Sequence, residues 1–146
     1  MDPTARFMEY AAAFEQAYAT DDWSKIEPFF TDDAVYQPLP AFGGPIAGRA
    51  ALTAAFKTMV DAFDRRFASR AVEVLEGPTV RNGSVWFRWA ATYTMPGVPA
   101  LRMTGEETAV FAGDRIHRLE DQMSDEEVKH VQAYLAAHAA KLKPAE

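Results

Sequence analysis

NGSVWFRWAATYTMPGVP, residues 82–99, decides the fold. Asn82-Gly83 tolerates the positive φ that a type I′ turn needs, so it marks a tight hairpin. Behind it, Ser84 to Met95 is a long aromatic strand, and Pro96-Gly97-Val98-Pro99 turns the chain back. Upstream, Val72-Glu73-Val74-Leu75-Glu76 is the other arm of the hairpin, bent by Gly77-Pro78. Downstream, Leu101 to Phe111 and Arg115 to Gln122 read as two more strands, joined at Ala112-Gly113-Asp114. Residues 72–122 therefore form a meander of antiparallel strands.

The flanks of the meander have a different period. Asp2 caps a first helix with Pro3 in its first turn, and Phe7, Tyr10, Ala11, Phe14 and Tyr18 recur at helical spacing. Asp21-Asp22 restarts the chain as a short helix holding Trp23 and Ile26, which Pro28 limits. Thr31-Asp32-Asp33 reads as a turn and Ala34 to Gln37 as a short strand. Pro38 and Pro40 cannot donate to a ladder, so that strand ends early or lies at an edge. A loop rich in Gly and Pro, Pro38 to Gly48, leads to a helix over Arg49 to Phe63 with the stripe Leu52, Phe56, Met59, Val60 and Phe63. Ser124 and Glu127 make a capping box that opens a last helix carrying Val128, Val131, Leu135 and Leu142. Helices and strands segregated in this way mean an α+β fold. With no internal repeat or linker, residues 1–146 read as one domain.

Composition narrows the function classes. Hydrophobic residues make up 49% of the 146 and aromatics 12%, which suits a packed core with aromatics left over to line a cavity. A net charge of −6 argues against nucleic acid and anionic membranes, both of which need clustered Lys and Arg. There is no cysteine, and three scattered histidines give no metal-ligand spacing. Met1-Asp2-Pro3-Thr4 lacks the pattern of a signal peptide, and no apolar run approaches the roughly 20 residues of a membrane span. The expectation is a soluble cytoplasmic protein with no metal or cofactor. Gly43 to Gly48 mimics a phosphate-binding loop, but Arg49 and Ala50 stand where its Lys and Ser/Thr belong.

The element order resembles that of the nuclear transport factor 2-like superfamily, its SnoaL-like and limonene-epoxide-hydrolase-like branch in particular. Phe29-Phe30-Thr31-Asp32-Asp33-Ala34-Val35-Tyr36 resembles the family's lead-in to its first strand, and Gly48-Arg49-Ala50-Ala51-Leu52 the start of its third helix. Asp114-Arg115-Ile116-His117-Arg118-Leu119-Glu120-Asp121 resembles its last strand. The resemblance implies a cone-shaped barrel: a curved antiparallel sheet wrapped around N-terminal helices, with a C-terminal helix and an apolar pocket. It also implies a small hydrophobic molecule as partner, and a homodimer formed through the outer sheet face, where an exposed Trp86 beside Ala90, Thr92 and Thr94 would suit the contact.

The same resemblance places a proton-moving carboxylate at Asp121 and a hydrogen-bond donor at Tyr36. Alternation puts His117 and Leu119 on the face of Asp121, and Phe87, Trp89 and Tyr93 on one face of their strand. With Phe30 these form the candidate pocket lining. His117 and Asp121 are about 13 Å apart along an extended strand, too far for a direct pair. Glu106 and Glu107 face opposite sides; both are read first as a solvated strand edge, with Glu107 the second carboxylate if either points inward. Counting from Gly83, Trp89 and Ala91 fall where the epoxide hydrolases carry Arg and a second Asp, and Pro38 falls on their water-holding Asn. Arg88 enters the pocket only if the register is shifted by one. These departures argue against epoxide hydrolysis by that mechanism. Three readings remain: isomerisation, cyclisation or dehydration by proton transfer at Asp121; ligand binding without turnover; and a homodimeric interaction module with no ligand.

Overall fold

The computed structural model describes residues 1–145. Helix α1 spans Pro3–Thr20, with Asp2 accepting from the Thr4 N–H at 3.0 Å and Pro3 filling the first helical position. A 3₁₀ segment, Trp23–Phe29, leads into β1 (Phe30–Gln37), four residues longer than the sequence pattern marks. The loop after Pro38 contains a two-residue strand not foreseen in the sequence, β2 (Ile46–Ala47), before α2 (Arg49–Ala62). Strands β3 (Ser69–Arg81), β4 (Ser84–Thr94), β5 (Leu101–Ala112) and β6 (Arg115–Gln122) make the meander, and α3 (Asp125–His138) follows.

The six strands form one sheet in the order β2-β1-β6-β5-β4-β3. The sheet is curved but open and mixed: β1 and β6 run parallel, and every other pair is antiparallel. The fold is therefore the expected α+β cone, with two edges in place of a closed antiparallel barrel. The parallel pair arises because the chain passes through α2 and the whole meander before β6 returns beside β1.

Two aromatic-rich clusters fill the cone. One joins Phe7, Tyr10, Trp23, Ile26, Phe30, Phe56 and Leu119; the other joins Phe63, Phe67, Trp89, Tyr93, Leu101, Tyr134 and Leu142. Phe87 packs against both. Rings meet mostly edge-on or tilted, as Tyr10 does on Phe30 (5.4 Å) and Phe63 on Tyr93 (5.2 Å), the arrangement their quadrupoles favour.

Helix α3 closes the end where β6 stops short of β5. There the Glu127 carboxylate accepts from the Thr104 N–H at 3.1 Å, and His130 Nε2 lies 3.0 Å from the Arg102 carbonyl. Both bonds satisfy backbone groups at the free edge of β5. Ser124 caps the helix as expected, its hydroxyl accepting from the Glu127 N–H at 3.1 Å. Glu127 itself turns to the sheet, so the capping box is only half made.

Candidate functional site

The site is built on the pairing of β5 with β6. The tight turn pairs Ala112 with Arg115 and Phe111 with Ile116, but the next pair is Val110 with Arg118. His117 is thus an extra residue, a bulge that shifts everything beyond it by one. Strict alternation from the buried Ile116 would turn Asp121 outward. After the bulge, Leu119 and Asp121 face in, and Asp121 lies directly opposite Glu107. Opposed side chains of an antiparallel pair stand about 5 Å apart at Cβ, so the two carboxyls meet.

Tyr36, on the parallel neighbour β1, donates from its hydroxyl to Asp121 Oδ2 at 2.5 Å. Tyr36 is buried against Phe56, their rings 4.6 Å apart, which fixes the direction of that hydroxyl. Burial pushes the Glu107 carboxyl well above the usual carboxylate range, and the Asp121 charge and the hydrogen bond between them push it further. Burial also raises Asp121, while hydrogen bonds from Glu107 and Tyr36 hold it back. Two like charges in so dry a place cannot both persist, so the pair keeps one proton, carried by Glu107 and donated to Asp121. Burial raises the Tyr36 and Tyr10 hydroxyls well above their ordinary value, so both stay neutral donors.

The pair forms one end of a cavity of about 590 Å³. Its walls include Phe14, Phe56, Met59, Phe63, Phe87, Trp89, Tyr93 and Met103. The indole of Trp89 packs against Gly105, where a Cβ would meet Cζ2 at 2.4 Å. At the other end Tyr93 donates to Asp64 Oδ2 at 3.0 Å, and Arg70 stands 3.1 Å from the same oxygen. Burial raises Asp64 above its ordinary pKa, against the neighbouring Arg70 charge. Among the wall residues, Met8 of α1 and Val72 and Val74 of the edge strand β3 are 50%, 44% and 52% exposed, so this side of the cavity opens to solvent through an apolar rim. Asp121 also borders a second cleft with Gln37, Pro38 and Gln122.

Of the residues singled out in the sequence, Asp121, Tyr36, Phe87, Trp89 and Tyr93 line the cavity. Phe30 and Leu119 do not: both are fully buried in the core beside it. His117 is exposed with Nδ1 3.7 Å from Asp33, because the bulge takes it out of the inward series. The register places Trp89 inward and Arg88 outward, where it faces Glu76 and Glu106. Trp86 is outward but only 4% exposed: the Arg81 guanidinium covers its ring at 3.4 Å and its indole N–H donates to Glu106. Glu107 is the main residue the sequence undervalued. Regular pairing from the two-residue turn at Gly113-Asp114 would set Glu120, not Asp121, opposite it, and nothing in the pattern of residues announces the bulge. Among the described residues no three His, Cys, Asp or Glu side chains gather to hold a metal, and no helix is long and apolar enough to cross a membrane.

A curved sheet folded over helices around an apolar cavity is a nuclear transport factor 2-like architecture. The profile of the SnoaL-like domain matches residues 11–125, and the chain belongs to that family. A protein described as a SnoaL-like polyketide cyclase, from Jannaschia sp. CCS1, is 14% identical with a TM-score of 0.69, over 94% of this chain and 96% of that one. A limonene-epoxide-hydrolase-like enzyme from Mycobacterium tuberculosis is 15% identical with a TM-score of 0.64, over 96% and 99%. A second M. tuberculosis protein, crystallised with estradiol-17beta-hemisuccinate, is 16% identical with a TM-score of 0.62, over 87% and 98%. At these identities the likeness is one of fold. No curated protein matches the sequence.

Proposed function

We propose that the cavity takes a small hydrophobic carbonyl compound and moves a proton on it, as in isomerisation, cyclisation or dehydration. The observation that carries this reading is the Glu107–Asp121 pair, two carboxyls directly opposed and hydrogen-bonded at the end of an apolar cavity, both with raised pKa. Asp121 takes a proton from carbon next to the carbonyl. The Glu107 proton, hydrogen-bonded to Asp121 while the cavity is empty, passes to the substrate oxygen as negative charge develops there and Asp121 takes up the proton from carbon. Tyr36, its hydroxyl committed to Asp121, orients the base. The aromatic walls limit hydration of the pair, and burial raises both carboxyls above their ordinary range, which favours proton transfer. The steroid ester held by one structural neighbour is of the right chemical kind, apolar and oxygen-bearing.

The test is deuterium wash-in at carbon, read by NMR, for a panel of apolar enones in D₂O. Asp121→Asn should lower the rate at least 100-fold, as loss of a general base does. Exchange no faster than in buffer, or equal exchange in the variant, refutes the assignment. Trp89 and Ala91 stand where the epoxide hydrolases have charged residues, and this favours a second reading: ligand carriage without turnover, with binding that survives Asp121→Asn. Self-association belongs to the same proposal but rests on the outer-face Thr92 and Thr108, since Trp86 is covered; sedimentation as a monomer at micromolar concentration removes it.

A further inference from the structure

The end of the cavity away from the carboxyl pair holds an arrangement that proton transfer does not use. Arg70 is the one cationic side chain among the described residues lining the cavity. Its guanidinium reaches inward from the edge strand β3 and is only 12% exposed. Its two terminal nitrogens grip the Glu15 carboxylate as a fork, Nη1 to Oε2 at 2.9 Å and Nη2 to Oε1 at 3.3 Å. Its Cζ lies over the Tyr18 ring, 4.5 Å from the ring centre. Its Nε, 3.1 Å from Asp64 Oδ2, makes no aligned hydrogen bond.

The two carboxylates beside Arg70 differ. Asp64 is 15% exposed and locked by the Tyr93 hydroxyl, so it is a fixed counter-charge. Glu15 is 53% exposed on α1, at the rim of the cavity, and no hydrogen bond other than those from Arg70 holds its carboxylate. Such half-exposed pairs contribute little, about 0–1 kcal/mol, because solvent competes for both partners. We propose that the Arg70 end recognises a carboxylate, so that the ligand is an elongated apolar acid whose anionic group takes the place of Glu15 on the guanidinium.

The exchange leaves the charge inside the protein unchanged: one carboxylate enters the fork and another turns out to solvent. The planar fork is the geometry that a carboxylate satisfies with two parallel bonds, and a hydroxyl or an amine does not. Length is set by the sheet. Arg70 pairs with Tyr93 and Glu107 with Phe87, so the two ends lie six residues apart on β4, about 20 Å of extended backbone before the side chains reach inward. A molecule spanning the cavity places its acid at Arg70 and its far end at Asp121. This rests on the cavity being the ligand site, as proposed above, but not on the chemistry of the carboxyl pair.

Three probes with one skeleton test it: 6-phenylhexanoate, 6-phenylhexan-1-ol and 6-phenylhexylammonium, titrated by calorimetry at pH 7.5. Wild type should bind the acid about 10-fold or more tighter than the alcohol, the scale of hydrogen bonds to a charged group. Glu15→Gln should tighten the acid several-fold and leave the alcohol unchanged, because the competitor has lost its charge. Arg70→Gln should bring acid and alcohol to parity. Glu15→Gln lies on a solvated helix face, so that arm reads out even if Arg70→Gln does not fold. The proposal falls if the alcohol or the ammonium binds wild type as tightly as the acid, or if Glu15→Gln leaves acid affinity unmoved. Asp121→Asn should keep the preference for the acid. An absent preference alongside turnover that still depends on Asp121 sinks this inference alone; a clear preference with turnover indifferent to Asp121 sinks the proton-transfer reading alone.

Discussion

Replacing Glu107 with Gln should make the protein more stable at alkaline pH, although the residue is buried and hydrogen-bonded. Above about pH 5.5 the unfolded chain holds no proton on either carboxyl, given ordinary values near 4. The folded pair holds one, because burial raises both groups. A folded-state pKa raised in this way makes stability greatest below the unfolded pKa, and stability is lost as pH rises toward the folded value. With one extra proton bound in the native state the slope is −1.36 kcal/mol per pH unit. At about 2.1 cal/mol/K per residue, unfolding 146 residues carries an entropy of about 0.3 kcal/mol/K, so each unit lowers Tm by about 4 °C. Glu107→Gln keeps a donor toward Asp121 and has nothing to ionise. Its Tm should therefore match or fall below wild type near pH 4 and overtake it as pH rises, the gap widening by up to about 4 °C per unit once Asp121, itself raised by burial, has lost its proton in the variant. Thermal unfolding by circular dichroism at half-unit steps from pH 4 to 9 measures this. Parallel curves would show that the pair shares no proton, and the acid–base assignment would go with it.

Other perturbations check the surroundings of the pair. Tyr36→Phe removes a bond to the charged form of Asp121, so the base should gain pKa and the acidic limb of the pH–rate profile should move to higher pH; an unmoved limb would mean that Tyr36 does not hold the base. Gly105→Ala should push Trp89 off its seat, since the new Cβ would stand 2.4 Å from Cζ2 and 2.8 Å from the Gln122 carbonyl oxygen. A loss of about 1–3 kcal/mol in chemical denaturation is expected, with a shift in tryptophan emission; unchanged stability and emission would place Trp89 elsewhere. Ser124→Ala should cost about 1 kcal/mol through the lost cap on α3, measured in the same denaturation experiment, and a neutral result would mean that the helix start is held by Glu127 on β5 instead.

The fold was legible because its signals are local. Asn82-Gly83, the prolines around the β4–β5 turn, and the caps at Asp2 and Ser124 each act within a few residues and do not depend on what packs against them. The boundaries of β6 could be read to the residue for that reason. What escaped depends on relations between strands. A bulge at His117 leaves no mark in composition, yet it moves His117 out, turns Asp121 in and sets Glu107 against it. Alternation placed Leu119 correctly on the inner face but could not say that core would cover it on all sides. Trp86 illustrates the opposite error: its outward direction was right, but Arg81 and Glu106 from the two neighbouring strands and Arg88 from its own bury it. Edge strand β3 keeps Val72 and Val74 exposed because the cone opens there, a feature of closure that no period within one strand can carry.

If the cavity moves a proton as proposed, the walls and the carboxyl pair act on one another, and this couples selection to reaction. Aromatic rings surround the pair and limit its hydration, and its raised pKa follows from that enclosure. A ligand that fills the cavity with apolar surface strips away the remaining water, raises the proton affinity of Asp121 further and makes it a stronger base. A ligand that fits badly admits water and lowers that affinity. Poor fit therefore weakens the chemical step as well as the binding step, and discrimination among apolar substrates falls on kcat in addition to KM. An acid held at Arg70 adds to this coupling. Anchoring the far end leaves the reacting carbon a single position along the cavity, and holding a reacting group in place accounts for a large share of what an enzyme can contribute.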